Sequence, residues 1–129
     1  MPPTLLDRAL AARAGRDIEG ARALFAEALR ASPNDPAIWQ AYADLLEYEL
    51  GDFEGARAAL LEVERLSPPG VDLQYRLAQL EIWTGRLDDA TPRLQGILAA
   101  LDAGATGAVS RADVHATLGD LRRWDGDRL

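Results

Sequence analysis

An all-α fold built from stacked helix pairs is predicted by three observations. Ala and Leu supply 24 and 21 of the 129 residues, against 8 aromatics, a composition that favours helix over sheet. Apolar residues recur at helical spacing, four and then three residues apart, in three separate stretches. Those stretches are themselves repeated: the marker residues Ala21, Ala56 and Ala90 lie 35 and then 34 residues apart, a period that indicates a solenoid.

In chain order, the opening helix is the least regular, with Arg8 where an apolar residue is expected. Its partner lies in GRDIEGARALFAEALRASPNDP from Gly15, where Ala21, Phe25 and Ala28 share one face and Pro33 blocks continuation. The third helix starts in PNDPAIWQAYADLL, with Asp35 as N-cap and Pro36 where its missing N–H costs nothing; Trp39, Tyr42, Ala43 and Leu46 make its stripe. GDFEGARAALLEVERLSPPG from Gly51 repeats the second helix, with Ala56, Leu60, Val63 and then Pro68. Leu73, Leu77, Ala78 and Leu80 mark the fifth helix, and GRLDDATPRLQGILAAL from Gly85 the sixth, with Ala90, Leu94 and Ile97. Pro92 is compatible with that helix only if its first turn begins near Asp88. The last helix is expected from about Ala112 to Trp124, with Val114, Leu118 and Leu121 on one side and a capping box of Ser110 and Asp113.

These residues resemble the tetratricopeptide repeat family, a 34-residue helix–turn–helix unit: Trp39 fills the Trp slot, Leu118-Gly119 the Leu-Gly pair, Ala56 the small slot, Phe25 the aromatic slot, and Pro33 and Pro68 the terminal slot. The resemblance covers about residues 3–129. It implies a right-handed α-α superhelix forming a single domain over 1–129, with repeats at about 2–35, 36–70 and 71–104 and a closing half-repeat at 111–129. Two departures stand out. The stretch from Trp39 to Gly51 is one residue longer than the family spacing, and LDAGATGAVSRAD is about seven residues longer than a standard junction. WQAYADLLE followed by GDFEGAR is also similar to the half-a-tetratricopeptide subfamily of RNA-processing scaffolds, with Glu47 one place late.

There are 14 basic residues, all Arg, and 21 acidic ones, giving a net charge of −7, which repels nucleic acid and anionic membranes and favours neutral or basic partners. No Cys is present, so disulfides, thiolate metal sites and Cys nucleophiles are excluded. Only Leu5-Leu6 precedes Asp7 and Arg8, so no export signal is read, and the longest apolar run, Gly96 to Leu101, is far short of a bilayer span. A cytoplasmic location is expected, or a periplasmic one if a signal lies upstream. Arg-only, Ala-rich usage suggests a bacterial genome.

Catalysis finds no support. His115, the only histidine, has no nucleophile or orienting partner in the sequence and is read as a half-buried packing residue; no nucleophile elbow or phosphate loop occurs. No cofactor or metal is expected. Asp102 to Asp113 echoes a calcium loop, with Gly107 sixth and Val109 eighth. Gly104 replaces the third-place ligand, however, and Asp113 is shorter than the usual bidentate Glu, so a Gly/Ala turn ending in a helix cap is preferred.

The candidate binding residues follow from the family's concave face. Tyr48, Trp83 and Trp124 recur before the inter-helix turn at separations of 35 and 41 residues, forming either a ligand-binding ladder or packing between repeats. Around them the resemblance places Gln40, Asp44, Glu47, Tyr75, Gln79, Asp120 and Arg123. The family's carboxylate clamp of Lys, Asn and Arg is absent, since the chain has no Lys. A non-enzymatic interaction module that binds a neutral or basic peptide or helix is the expected function. The alternatives are a structural segment of a longer solenoid in envelope or exopolysaccharide export, suggested by Trp83-Thr-Gly85 and Trp124-Asp-Gly126, and an RNA-processing scaffold. Self-association through the terminal repeat is a further expectation. With two carboxylates at the ends of the 102–113 stretch, millimolar calcium should leave the far-ultraviolet dichroism and thermal midpoint unchanged; a calcium-dependent rise in midpoint would restore the calcium-loop reading.

Overall fold

The computed structural model describes residues 2–67 and 70–127, with side chains described as far as residue 123. The helices are α1 (Leu5–Ala14), α2 (Ile18–Ala31), α3 (Pro36–Asp44), a π-helical turn (Leu45–Glu49), α4 (Phe53–Leu66), α5 (Val71–Trp83), α6 (Leu87–Asp102) and α7 (Arg111–Asp127). The described residues contain no strand, as the composition predicts. The chain divides into two compact units, residues 1–68 and 69–129. The first holds α1 to α4 and the second α5 to α7.

The repeated trios form the core. Ala21, Phe25 and Ala28 on α2 are 0–2% exposed, Ala56, Leu60 and Val63 on α4 0–6%, and Ala90, Leu94 and Ile97 on α6 0–1%. In the first unit the α2 trio packs with Ala9, Ile38 and Leu45, and the Phe25 and Tyr42 rings meet at 5.8 Å. In the second, α6 buries its trio with Val71 and Ala78 of α5 and Val114, Leu118 and Leu121 of α7. The α3 stripe holds at Ala43 and Leu46, which are 0% and 3% exposed, but Ile38 is buried where the sequence predicts Trp39; Trp39 is half-buried and donates its indole N–H to the Pro33 carbonyl at 2.8 Å.

Helix starts are satisfied by side chains that the sequence supplies. Thr4 and Asp7 form a capping box on α1, and Asp35 accepts from the Ala37 N–H. Asp17 and Asp52 accept from the N–H of Gly20 and Gly55 at 3.0 and 2.9 Å. A Cβ at either glycine would fall within 2.1–2.4 Å of the capping carboxylate, so Asp and Gly act as a pair in these two turns. Ser110 and Asp113 form the predicted capping box on α7. Hydrogen bonding from the Ser110 backbone and side chain holds the Asp113 carboxyl below its ordinary 3.8.

The extra residue of the second repeat is absorbed by the π-helical turn, where the Leu50 N–H reaches the Leu45 carbonyl five residues back at 3.2 Å. In the first and third repeats the residue opening the second helix bonds five residues back, Asp17 to Ala12 and Arg86 to Glu81; in the second it bonds six back, Asp52 to Leu46. Counted from the turn, Glu49 rather than Tyr48 therefore occupies the place of Trp83. Glu49 is mostly buried and pairs with Arg13 at 3.4 Å and Arg16 at 3.3 Å.

One expectation is corrected. His115 is exposed, because the buried stripe of α7 runs through Val114, Leu118 and Leu121 and His115 is turned about 100° away from Val114. α6 begins at Leu87 and α7 at Arg111, so Pro92 is the sixth residue of α6 and deprives only exposed Asp88 of a helical partner. The long junction is strapped to α5: Asp72 accepts from the N–H of Ala108 at 3.1 Å and Val109 at 3.0 Å. Gly107 lies so close to Val71 that a Cβ would meet its Cγ2 at 2.6 Å. Asp102 pairs with Arg111 and Asp113 caps α7, so the two carboxylates of the calcium-like stretch are engaged elsewhere. Among the described residues no group of three or more His, Asp or Glu could hold a metal.

Arg16, at φ 66°, is the one non-glycine among the described residues in the left-handed region, where the other two repeats have Gly51 and Gly85. Arg16→Gly should raise stability by about 0.5–1 kcal/mol in urea unfolding, relief of backbone strain outweighing an exposed ion pair. Arg16→Ala keeps the strain and should give no gain. Equal effects of the two would assign the change to charge instead of backbone.

Candidate partner-binding groove

A groove of about 540 Å³ runs between α5 and α7 in the second unit, lined by Gln79, Ile82, Trp83, Thr117, Asp120, Leu121 and Arg123. Helical spacing explains the membership. Gln79 and Trp83 are one turn apart on α5, and Thr117, Leu121 and Asp120 do the same on α7. Leu121 is 5% exposed and Ile82 half-buried, giving an apolar floor, while Trp83 is 54% exposed at the edge. Below the groove the Tyr75 hydroxyl and Thr117 Oγ1 lie 2.9 Å apart, tying the two helices together. Arg123 pairs with Asp120 one turn earlier on α7, both side chains being largely exposed.

Behind the groove, the α5 turn that carries Ile82 and Trp83 is fixed by a buried ion pair. Glu81 is 1% exposed; its Oε1 accepts from Arg93 Nε on α6 at 2.7 Å and its Oε2 from Nη2 at 3.3 Å. Arg93 Nη1 donates to Gln74 Oε1 at 2.7 Å. The two-point contact gives both carboxylate oxygens a donor and ties α5 to α6.

Of the expected binding residues, Gln79, Trp83, Asp120 and Arg123 come together here, and Tyr75 lies beneath them. Gln40, Asp44, Glu47 and Tyr48 belong to the first unit, the first three half-buried and Tyr48 64% exposed. Tyr48 and Trp83 each keep part of the ring packed and more than half of the residue's surface exposed. The Trp124 side chain lies outside the described residues, as does Pro68. Ile82, Thr117 and Leu121 also line the groove; the sequence predicts Leu121 only for the buried side of α7, and Thr117, four residues before it, shares its face.

Two tetratricopeptide repeat models match the chain, one over residues 2–45 and one over 47–106. Solved structures agree. MamA superposes with a TM-score of 0.76 at 20% identity, covering 95% of this chain and 62% of its own; the P58(IPK) tetratricopeptide domain gives 0.76 at 18%, covering 95% and 32%. The first such domain of Spaghetti, bound to the HSP90 peptide SRMEEVD, gives 0.67 at 13%, covering 95% and 90%. The chain thus spans less than two thirds of the MamA and P58(IPK) structures. A search of curated protein sequences gave no significant match. An all-α array of helical repeats defines the class, and within it the chain belongs to the tetratricopeptide repeat family, whose repeats are typically non-catalytic protein-interaction modules.

Glu81→Ala removes the carboxylate that balances the Arg93 guanidinium, which is 16% exposed and keeps its hydrogen bond to Gln74, and should cost about 3 kcal/mol in chemical unfolding. Replacing both, Glu81→Leu with Arg93→Leu, should restore most of that loss. If the double variant is as unstable as the single one, packing rather than an uncompensated charge is responsible.

Proposed function

We propose that the protein is a non-enzymatic interaction module whose α5–α7 groove docks a neutral or basic segment of a partner protein. The observation that carries this reading is the groove itself: an apolar floor of Ile82 and Leu121, an exposed Trp83 edge, and the polar groups of Gln79 and Asp120 on one open surface. Exposed aromatics beside polar groups are the usual anchors of peptide recognition, and helix-held side chains present them with little ordering cost. The SRMEEVD peptide bound by Spaghetti ends in acidic residues. This chain has no Lys, and Arg123, the cation in its groove, is already paired with Asp120, so an acidic terminus is disfavoured. A second reading, a stretch of a larger repeat array, draws support from the 62% coverage of MamA and expects concentration-dependent self-association in light scattering.

Selection from a random peptide pool displayed on phage tests the groove. Enriched peptides should be neutral or basic, and Trp83→Ala should weaken them by about tenfold or more in calorimetry. Enrichment of acidic C-termini, or affinities indifferent to Trp83→Ala, would overturn the proposal.

A further inference from the structure

Resting on the groove reading, we infer that the α5–α7 groove recognises an arginine side chain of the partner, which takes the place now held by Arg123. Trp83 and Asp120 line the same groove, and an aromatic face beside a carboxylate is the pairing that selects a planar cation, through the ring quadrupole and charge-assisted hydrogen bonds. The position already holds a guanidinium. Arg123 pairs with Asp120 within one turn of the same helix, with side chains 77% and 65% exposed, so water competes for both partners and the pair is weak enough to be exchanged. Ile82 and Leu121 provide an apolar floor along which the methylene stem of an incoming arginine can lie.

Charge complementarity separates arginine from other occupants. With Arg123 displaced to solvent, Asp120 is the one ionised group left among the lining residues, so an acidic side chain would meet repulsion and an aliphatic one would gain nothing from the carboxylate. The overall charge of −7 adds attraction at long range for a basic segment. Lysine carries the same charge but lacks the planar fork that can engage a carboxylate at two points while stacking on a ring. Arg123 is therefore a resident competitor as well as a wall of the groove, and its removal should strengthen binding.

The test uses the full chain and a positional-scanning library of terminally blocked heptapeptides in which one position is fixed as Arg, Lys, citrulline, Leu or Glu. Arg is expected to be preferred over citrulline by about tenfold at one position, with Lys between them. Asp120→Asn should abolish the preference, and Arg123→Ala should tighten Arg-fixed peptides severalfold. Both side chains are exposed, so circular dichroism can confirm that the variants remain folded. Binding that depends on Trp83 but ranks Arg and citrulline equally would overturn the arginine inference and leave the groove reading standing. A library that binds wild type no better than Trp83→Ala would overturn both. Weakened binding of Arg-fixed peptides by Arg123→Ala would also refute the inference, by showing that Arg123 contacts the ligand directly.

Discussion

The structure depends on one packing constraint: the second helix of each pair must bury a small residue, then an apolar residue four places on, then another three further. Ala21, Ala56 and Ala90, each 0% exposed, allow helix backbones to approach where a longer side chain would hold them apart. The residues that follow fill the layer created by that approach. In the second unit this has a direct consequence for function. α6 collects the inward faces of α5 and α7 into one cluster, which leaves their remaining faces to define the walls of the groove. The groove is thus a by-product of how the core is assembled.

A buried ion pair in such a core needs a reason, because replacing it with apolar residues often costs nothing. Glu81 immediately precedes Ile82 and Trp83. Its two-point contact with Arg93 ties that turn of α5 to α6 and is more directional than apolar packing. Exposed pairs such as Arg65–Glu62 and Arg123–Asp120 have water as an alternative partner and hold little in place. The molecule therefore places its restrictive electrostatic contact behind the groove and its exchangeable one inside it.

Much of this was legible in the sequence, for reasons that also mark where reading fails. The trios were readable because burial on a helix imposes a fixed spacing and the repeat presents it three times. Asp35, Ser110 and Asp113 were readable because capping depends on neighbours within three residues. The count of residues between Trp39 and Gly51 revealed an insertion, but whether it would enlarge the turn or widen the helix depends on hydrogen bonds that spacing does not encode. Likewise, nothing local marks Glu81 and Arg93 as partners across two helices, or Asp72 as the anchor of a loop 36 and 37 residues away. Of the ten expected groove residues, Gln79, Trp83, Asp120 and Arg123 line one groove; Ile82 and Leu121 were not among the ten because their apolar side chains also pack in or against the core.

The size of the groove bears on the kind of binding it can support. About 540 Å³ lies within the range of small-molecule pockets and accommodates a few side chains. Affinity from this surface alone is consequently modest. On the proposed reading, the overall charge of −7 would act on the rate of encounter, while Trp83 and Asp120 would govern how long a segment stays. Stronger attachment requires contacts outside the groove, because linking two weak sites multiplies their effect without demanding more of either. A repeat protein suits this arrangement, since each additional helix pair supplies another surface of the same construction. The π-helical turn, which gives the first unit a differently registered Tyr48, shows that successive surfaces of this kind need not be alike.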